Sequence, residues 1–541
     1  VEACMRSMRA RPEDRYTDAG ELAEVIATWL EGTQRRAQAR RSIHASLEKQ
    51  AHADGLRAKA EQLQTEAHTV LSQIGSWEQA HHKHAGWAAE DQAQSLEKEA
   101  VLAESESEQW LFNALSQAPN FTEVHNAIAQ RYIEVHKRAT TARDQVTAAR
   151  AELYVRTHTE ALPTQDSNRA RYQRYLSGHG HLSLTTEPSE VNVALARFTA
   201  HHRRLVLDQP RVLGPTPLQA TELEQGSYLL TLEAPGYDTV RYPVLIERQK
   251  HWNTTPPQAT APQSIQLPPK GVLDPETDCF IPAGWFQLGE QGAAYDTLPH
   301  GWQWLDSFVI KRHPVTNREY IAFLDDLVAQ GLEEEALRAV PRERIGPMGA
   351  QGAMLYTRDS EGRFAVHIDS DGDMWLDDWP VVYIDWHSAH RYTEWLAEHT
   401  GRPWRLPTER EWEKAARGVD GRLYPLGNFL DPSWACTRYS HKGYRTLKQI
   451  DAFPTDVSPY GVRGMTGNVM DWCADRYDDH RRLIHKTDGT QTVELVRTYR
   501  GGSWISSEGS SIAPRRFYSA ANVRLSYVGV RPCMSWPIVP A

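Results

Sequence analysis

The side chains best suited to redox or metal chemistry are five cysteines that lie far apart in the sequence. No two of them form a Cys-x-x-Cys pair, so their spacing predicts neither a zinc site nor a disulfide framework. Unpaired cysteines are typical of a reducing compartment, and we therefore expect a cytoplasmic protein. The five are Cys4, Cys279, Cys436, Cys473 and Cys533.

Three histidines, His81, His82 and His84, form a second group that could bind a metal. They lie in a stretch whose composition predicts a helix with exposed polar faces. A solvated helix face is the commoner origin of such a group than a ligand set. We favour the solvated face and expect no cofactor from these residues.

Length and charge limit the elements that can position a functional site. The chain has 541 residues and a net charge of −10, with both signs interspersed. Its length predicts three or four domains. The absence of a basic block argues against binding to nucleic acid or anionic membranes, and no apolar run is long enough to span a membrane.

Residues 1–32 predict two short helices, Val1–Ala10 and about Asp18–Leu30, with Gly32 ending the second. The segment 11–32, RPEDRYTDAGELAEVIATWLEG, resembles the last helices of the C-terminal lobe of a bacterial serine/threonine protein kinase. The nucleotide-binding and catalytic motifs of a kinase are absent from the sequence. We therefore expect no phosphoryl transfer by this chain. Because Val1 already lies in a predicted helix, we expect a further segment of the protein to precede it.

Residues 33–170 are rich in Ala, Glu, Gln, Arg and His and predict helices with exposed charged faces. A long helical hairpin or coiled coil is the favoured interpretation. A single degenerate tetratricopeptide-like unit, from Ala114 to Tyr132, is the alternative. The region would act as a spacer, a docking platform or a site of self-association.

Residues 171–270 alternate between apolar and polar side chains in short stretches that Gly and Pro interrupt, which predicts a small β-sandwich. Their landmarks are Gly-Pro-Thr-Pro-Leu at 214–218, Gly-Ser-Tyr-Leu at 226–229 and Pro-Gly-Tyr at 235–237. These landmarks resemble the PEGA domain. The resemblance implies a structural or interaction role without chemistry.

Residues 275–541 contain a series of motifs rich in Trp, Gly and Pro. Thr408 and Glu411 predict a capping box, and the stretch from Asp385 to Gly401 predicts an amphipathic helix. In their order, the motifs resemble the formylglycine-generating-enzyme (sulfatase-modifying factor) superfamily. The resemblance implies a C-type-lectin-like fold, and the whole chain is predicted to be a multidomain α+β protein. The motifs lie at residues 313–317, 379–381, 385–389, 405–413, 467–472 and 500–504.

The resemblance also locates the catalytic centre of the active enzymes. Their two Cu(I)-binding cysteines stand two and seven positions after the aromatic residue of the Gly-Gly-Ser-aromatic motif. Counted from Trp504, those positions hold Ser506 and Ser511. Copper(I) is a soft ion that needs thiolate ligands, which a serine hydroxyl cannot replace. We predict that the chain as it stands is not an enzyme, and that Cys533 is structural.

The superfamily further implies calcium near the segment 467–472. Asn468 and Asp471 carry the oxygen donors that Ca²⁺ prefers, although Asp471 is shorter than the glutamate usual in the family. A structural calcium ion and a metal-free turn are both open interpretations.

The tail, residues 505–527, resembles the variable region of proteins diversified by retroelements, which use this same fold. An ordinary inactive loop of the family is an equal alternative. Either interpretation predicts binding of a protein or peptide ligand. The predicted binding residues are Ile505, Ser506, Ser507, Ser510, Ile512, Arg515, Phe517, Tyr518, Asn522, Val523, Leu525, Ser526 and Tyr527, and the predicted frame is Trp504, Arg516, Arg524 and Arg531.

Together these expectations describe a non-catalytic recognition module of a bacterial kinase-linked signalling or defence protein. Two alternatives stay open. One is an active modifying enzyme, acting by copper-dependent thiol oxidation or through residues not recognised here. The other is a scaffold that acts through residues 33–170.

Overall fold

The computed structural model describes residues 2–74, 78–142, 144–290, 296–343, 352–368, 372, 374–477, 483–487, 490–494 and 496–538. The chain divides into two compact units, Val1–Gly178 and His179–Ala541. The first unit is helical and the second carries the sheets, which confirms the predicted multidomain α+β class. In the described ranges, every helix is too short or too polar to cross a membrane.

The first unit begins with a short helix and continues with a very long one that Asp18 caps through the backbone amide of Glu21. The predicted helix end at Gly32 is wrong, since the long helix runs on to Ser72. No proline stands directly after Gly32, and most of the next residues favour a helix. The Arg36 side chain also donates a hydrogen bond to the Gly32 carbonyl oxygen, at 3.2 Å. The helices are α1 (Glu2–Ser7), α2 (Ala19–Ser72), α3 (Ala80–Gln117), α4 (Thr122–Thr141), α5 (Gln145–Glu160) and α6 (Ser167–Ser177).

Helices α2 and α3 pack as an antiparallel hairpin along a seam of small residues. A β-carbon on Gly86 would overlap Leu71 of the facing helix, so the two backbones approach closely. Arg57 of α2 binds Glu104 of α3 beside the seam, at 2.7 Å. A seven-residue period is the repeat of a left-handed coiled coil. The small residues are Ala39, Ser46, Ala53, Ala60 and Ala67 on α2 and Gly86, Ala93, Ala100, Ser107 and Ala114 on α3.

Several apolar side chains of this hairpin point away from the seam into solvent. Leu47, Val101 and Leu102 are exposed. Self-association of residues 33–170 stays a prediction, and these side chains are the apolar surface that it would use.

The first part of the second unit is a β-sandwich. One sheet has the strand order β4-β3-β7-β8 with β5 also paired to β3, and the other has the order β6-β1-β9. Residues 171–177, predicted as part of the sandwich, belong instead to α6, which ends at Gly178 with φ 72°. The strands are β1 (His179–Leu184), β2 (Thr186–Glu187), β3 (Asn192–His201), β4 (Arg204–Leu207), β5 (Arg211–Pro215), β6 (Leu218–Glu224), β7 (Gly226–Glu233), β8 (Val240–Ile246), β9 (His251–Trp252) and β10 (Ile265–Gln266).

The remainder of the second unit combines short sheets with four helices. Its strands are β11 (Asp278–Ile281), β12 (Gly284–Leu288), β13 (Gly301–Leu305), β14 (Phe308–Lys311), β15 (Tyr356–Arg358), β16 (Phe364–Val366), β17 (Met470–Arg476), β18 (Leu483–Thr487), β19 (Thr490–Glu494), β20 (Val496–Arg500), β21 (Arg516–Ala520), β22 (Val528–Gly529) and β23 (Cys533–Ser535). Its helices are α7 (Asn317–Ala329), α8 (Glu333–Ala339), α9 (Trp386–Thr400) and α10 (Glu409–Arg417).

Both helices predicted here form as expected. Asp385 caps α9, which ends at Gly401 with φ 64°, and Thr408 opens α10 with a complete capping box to Glu411. A sheet of order β21-β20-β17-β22 lies beside α10 and carries the tail. The position of α10 therefore decides where the tail lies.

The small-residue seam makes a prediction about the helical unit. Replacing Ala53, fully buried against α3, by leucine should separate the helices and destabilise the unit by about 1–3 kcal/mol. The loss would appear as a lower unfolding midpoint of the full chain, followed by far-UV circular dichroism. Ala58→Leu, at an exposed position of the same helix, is the matched control. Equal midpoints for the two variants would contradict the close packing.

Candidate functional site

Helix α10 carries several charged side chains into the interior, and Glu409, Glu413 and Arg417 meet opposite charges there. Glu413, Arg417 and Arg500 are fully buried. Arg417 Nη1 donates to Glu413 Oε1 at 2.9 Å, and Arg500 binds the other oxygen of Glu413. Arg516 donates to both oxygens of Glu409, at 2.7 and 2.8 Å. These pairs tie α10 to β20 and β21, the two strands on either side of the Gly-Gly-Ser-Trp motif.

A second buried ion pair holds the end of the chain. Asp471 Oδ2 accepts from Trp412 Nε1 and from Arg531 Nε, both at 2.9 Å. The guanidinium of Arg531 also donates to the carbonyl oxygens of Arg312, at 2.8 Å, and Arg463, at 3.0 Å. Arg531 therefore joins the segment after the tail to the start of the domain.

Asn468 links two neighbouring segments of the surface. Its backbone has a φ of 71°, which asparagine tolerates better than most residues. Its backbone amide donates to Cys436 O at 2.7 Å. Its side-chain amide accepts from Lys448 N at 3.0 Å and donates to Lys448 O at 2.8 Å. Its carbonyl accepts from Trp504 N at 3.0 Å. Asn468 thus closes the loop between Cys436 and Lys448 and fixes the first residue before the tail.

The predicted binding residues of the tail fall into three groups. Ser506 and Ile512 are buried, at 5% exposure each, because they point into the frame; their prediction as surface residues is wrong. Ile505, Tyr518 and Asn522 are exposed. The half-buried residues are Ser507, Ser510, Arg515, Phe517, Val523, Leu525, Ser526 and Tyr527.

The half-buried residues hold the tail to the core and to itself. Phe517 stacks on Tyr499 at 5.7 Å, and the Arg515 guanidinium lies 4.9 Å from the Phe517 ring. Arg515 also donates to Gly509 O at 2.9 Å, and Tyr518 packs 4.2 Å from Tyr477. The tail is consequently a fixed surface and not an extended strand in solvent.

The predicted frame residues connect the two ends of the tail to each other and to the rest of the domain. Trp504 Nε1 donates to Ser526 O at 3.0 Å. Arg524 donates to Val340 O at 2.5 Å and lies 3.3 Å from Asp385 at the start of α9. With Arg516 and Arg531, they anchor every part of the tail on helices or strands.

A second surface loop, which the sequence analysis missed, lies beside the tail. We call residues 438–448 the basic loop. Its first amide, Arg438 N, donates to Ser506 O at 3.0 Å. Tyr439 and Tyr444 are 59% and 74% exposed. The signal in the sequence was a run of cations and tyrosines without a carboxylate, inside a chain of net charge −10.

Comparison with known proteins agrees with this architecture. A family model described as the sulfatase-modifying factor enzyme 1-like domain matches residues 264–535, half of the chain. The chain belongs to this family. A PEGA domain model matches residues 206–257.

The relatives of this chain include proteins named as a kinase, as a formylglycine-generating enzyme and as an inactive one. The serine/threonine-protein kinase pkn1 of Chlamydia pneumoniae is 29% identical over 42% of this chain and 33% of that protein. The formylglycine-generating enzyme of Thermomonospora curvata is 29% identical over 42% of this chain and 82% of the enzyme. The inactive C-alpha-formylglycine-generating enzyme 2 of Bos taurus is 32% identical over 25% of this chain and 41% of that protein.

A further relative is YfmG of Bacillus subtilis, 27% identical over 48% of this chain. The chain spans about half the length of YfmG and a third of pkn1. Among solved structures, variable protein 1 of Treponema denticola matches 48% of this chain and 94% of its own, with 18% identity and a TM-score of 0.32.

The positions that bind copper in active members of the family do not fit copper in this chain. Ser506 Oγ accepts from Ser503 N at 3.0 Å and lies 2.9 Å from Ser503 Oγ. Ser511 Oγ donates to Ser507 O at 3.1 Å. Both hydroxyls are buried and hydrogen-bonded inside the frame. Hydroxyls are also too hard to replace thiolates at Cu(I).

Two thiols of the domain, those of Cys533 and Cys436, are also poorly suited to replace the copper ligands. Burial raises the pKa of the Cys533 thiol well above its usual range, and Arg405 Nη1 lies 3.0 Å from its sulfur. Burial likewise raises the pKa of Cys436 to about 12. Both therefore stay protonated at neutral pH, and a protonated thiol is neither a nucleophile nor a good metal ligand.

Calcium binding at Asn468 and Asp471 stays a prediction: one side-chain oxygen of each is engaged by protein groups, and Asp471 Oδ1 is buried with no hydrogen-bond partner in the part of the chain that the structure describes. Asp471 Oδ2 is bound to a guanidinium and an indole, and the Asn468 side-chain oxygen is bound to the Lys448 amide. Among the described residues, no cluster of three acidic, histidine or cysteine side chains could hold a metal. The carboxylate and amide work as anchors of the chain.

The buried ion pairs of α10 make a prediction about stability. Glu413→Gln would leave Arg417 and Arg500 buried without their carboxylate and should destabilise the domain by about 3–5 kcal/mol. Chemical denaturation followed by tryptophan fluorescence would measure the loss. Glu398→Gln, at a carboxylate 69% exposed and 3.6 Å from Arg391, is the control and should change stability by less than about 0.5 kcal/mol. A small effect of Glu413→Gln would mean that these ion pairs do not hold the frame.

Proposed function

We propose that the C-terminal domain is a non-catalytic recognition module that binds a protein or peptide ligand through the tail. The observation that carries the proposal is the internal hydrogen bonding of Ser506 and Ser511, which occupy the two positions of the family's copper ligands. A site that has lost its thiols and filled their place with bonded hydroxyls keeps the frame and loses the redox chemistry.

The surface of the tail supports this proposal. Ile505, Tyr518 and Asn522 are exposed on the tail. The hydrogen bond from Trp504 to Ser526 holds the two ends of the tail together. A rigid tyrosine gives contact area at low entropic cost, and small polar side chains adapt their hydrogen bonds to a partner. Such a pre-ordered surface binds without a large ordering penalty.

A connection to a protein kinase is the second element of the proposal. Residues 11–32 resemble the end of a kinase lobe, and one of the named relatives is the kinase pkn1. We propose that the recognition module belongs to a bacterial kinase-linked signalling or defence protein, in which phosphoryl transfer would be carried by residues other than those of this chain.

An active oxidase is the competing function, which the similarity to the Thermomonospora curvata enzyme favours. The test is to give the full chain Cu(I), oxygen and a cysteine-containing peptide and to look for an aldehyde by mass spectrometry. We expect none, with the Thermomonospora curvata enzyme as positive control. Aldehyde formed at catalytic turnover would overturn the recognition proposal.

Binding is tested directly with a phage-displayed library of random dodecapeptides selected on the full chain. The variant Ile505→Asp/Tyr518→Ala/Asn522→Ala should lower the affinity of selected peptides by at least about tenfold, because it removes the exposed anchors of the tail. The control is Val212→Asp, at a residue 80% exposed in the β-sandwich. Peptides that bind the tail variant as well as the native chain would count against the tail as the binding surface.

A further inference from the structure

The basic loop presents unneutralised positive charge next to the tail. Arg438, Lys442 and Arg445 are exposed, and in the described part of the chain none of the three has an ion-pair partner. With Lys448 the loop carries four cations, and residues 438–448 include no Asp or Glu. Most other described arginines of the domain are paired, and none of the others lies in so dense a run of cations.

Two tyrosines stand among these cations. Tyr439 is 59% exposed and Tyr444 is 74% exposed, and the Arg438 guanidinium lies 6.0 Å from the Tyr439 ring. Exposed aromatic side chains of this kind offer contact area to a ligand. Arginine and tyrosine are also the residue types that most often dominate the energy of an interface.

The basic loop and the tail form one face because the same residues position both. Arg438 N donates to Ser506 O at 3.0 Å, at the start of the tail. Asn468 holds the other end of the loop through Lys448 and holds Trp504 through its carbonyl. The relative position of the two segments is thus fixed by hydrogen bonds of the backbone and of the Asn468 side chain, and the exposed side chains take no part in these bonds.

The titration of His441 agrees with a positive local field. Its pKa is lowered first by burial and then by the charges of Lys448 and Arg445. No carboxylate contributes to the shift. Glu508 is the exposed carboxylate on the adjoining part of the tail, and Asp431 and Asp451 flank the loop in sequence.

We propose that the basic loop is the second half of the recognition face and binds an acidic segment of the peptide ligand. The cations would pair with its carboxylates while Tyr439 and Tyr444 pack on its side chains. The proposal rests on the proposed function, because the loop is argued to act beside the tail.

A peptide fits this face better than a nucleic acid does. Nucleic-acid binders carry basic stripes over a whole domain, whereas this chain has a net charge of −10 and, within residues 275–541, the sequence beyond the basic loop contains no comparable run of cations without an acidic residue. The adjoining tail offers Ile505, Ser507 and Ser510, an apolar contact and two hydroxyls suited to a polypeptide.

The experiment uses the peptides selected on the full chain and measures their affinity by fluorescence anisotropy at low and high salt. We expect the selected peptides to be enriched in Asp and Glu and to bind more weakly at high salt. The variant Arg438→Glu/Lys442→Glu/Arg445→Glu should weaken binding by at least about tenfold. The control, Arg41→Glu/Lys59→Glu/Lys98→Glu, makes the same charge change at exposed positions of the helical hairpin and should leave affinity unchanged.

The neutral variant Arg438→Gln/Lys442→Gln/Arg445→Gln is a second control, which separates loss of binding from an effect of charge reversal on folding. Its melting curve should match that of the native chain. The neutral variant should also lose affinity, by a smaller factor. Selected peptides without acidic enrichment, or with equal affinity for the native chain and the loop variants, would overturn this inference. If those peptides still depended on the tail, the proposed function would stand.

Two other results would also test the proposal for the basic loop. A selection that yields no binding peptide would overturn both proposals. Tighter binding of a single-stranded oligothymidine than of any acidic peptide, lost in the loop variants, would make the loop a nucleic-acid site and overturn the inference.

Discussion

Buried ion pairs hold the C-terminal domain together, because a charge left unpaired in the interior is costly. Glu413 meets Arg417 and Arg500, Glu409 meets Arg516, and Asp471 meets Arg531. The cations come from α10 itself, from the strands on both sides of the Gly-Gly-Ser-Trp motif and from the segment after the tail. Because the charges leave few alternative pairings, the backbone that carries them has few alternative positions.

Tight backbone packing then fixes the start of the tail. Gly501 has a φ of 103°, and a β-carbon on Gly502 would overlap the Thr466 carbonyl oxygen and the Ser511 side chain. Ser503 and Ser506 bond to each other in the space that this packing leaves. The exchange of thiols for hydroxyls at Ser506 and Ser511 therefore costs the domain little of its structure, since serines suit a polar, hydrogen-bonded interior.

Local signals in the sequence were sufficient for the elements that depend on neighbouring residues. The capping box of Thr408 and Glu411 and the helix from Asp385 to Gly401 form as predicted, because caps act within one turn. Gly32 misled because a glycine ends a helix only where the chain can turn, and strong helix formers follow it here. The burial of Ser506 and Ile512 and the position of the basic loop beside the tail depend on contacts between distant segments, which residue type alone does not give.

Asn468 and Asp471, in the segment 467–472, make contacts with several other segments of the domain. A calcium ion would join oxygen donors from several segments through its charge. In this chain the guanidinium of Arg531 binds one oxygen of Asp471, and the backbone amide of Lys448 binds the side-chain oxygen of Asn468, so these contacts already join the segments. The exposed residues Ile505 and Asn522 take no part in these bonds. A substitution at either position would therefore leave the contacts of Trp504, Arg524 and Asn468 in place.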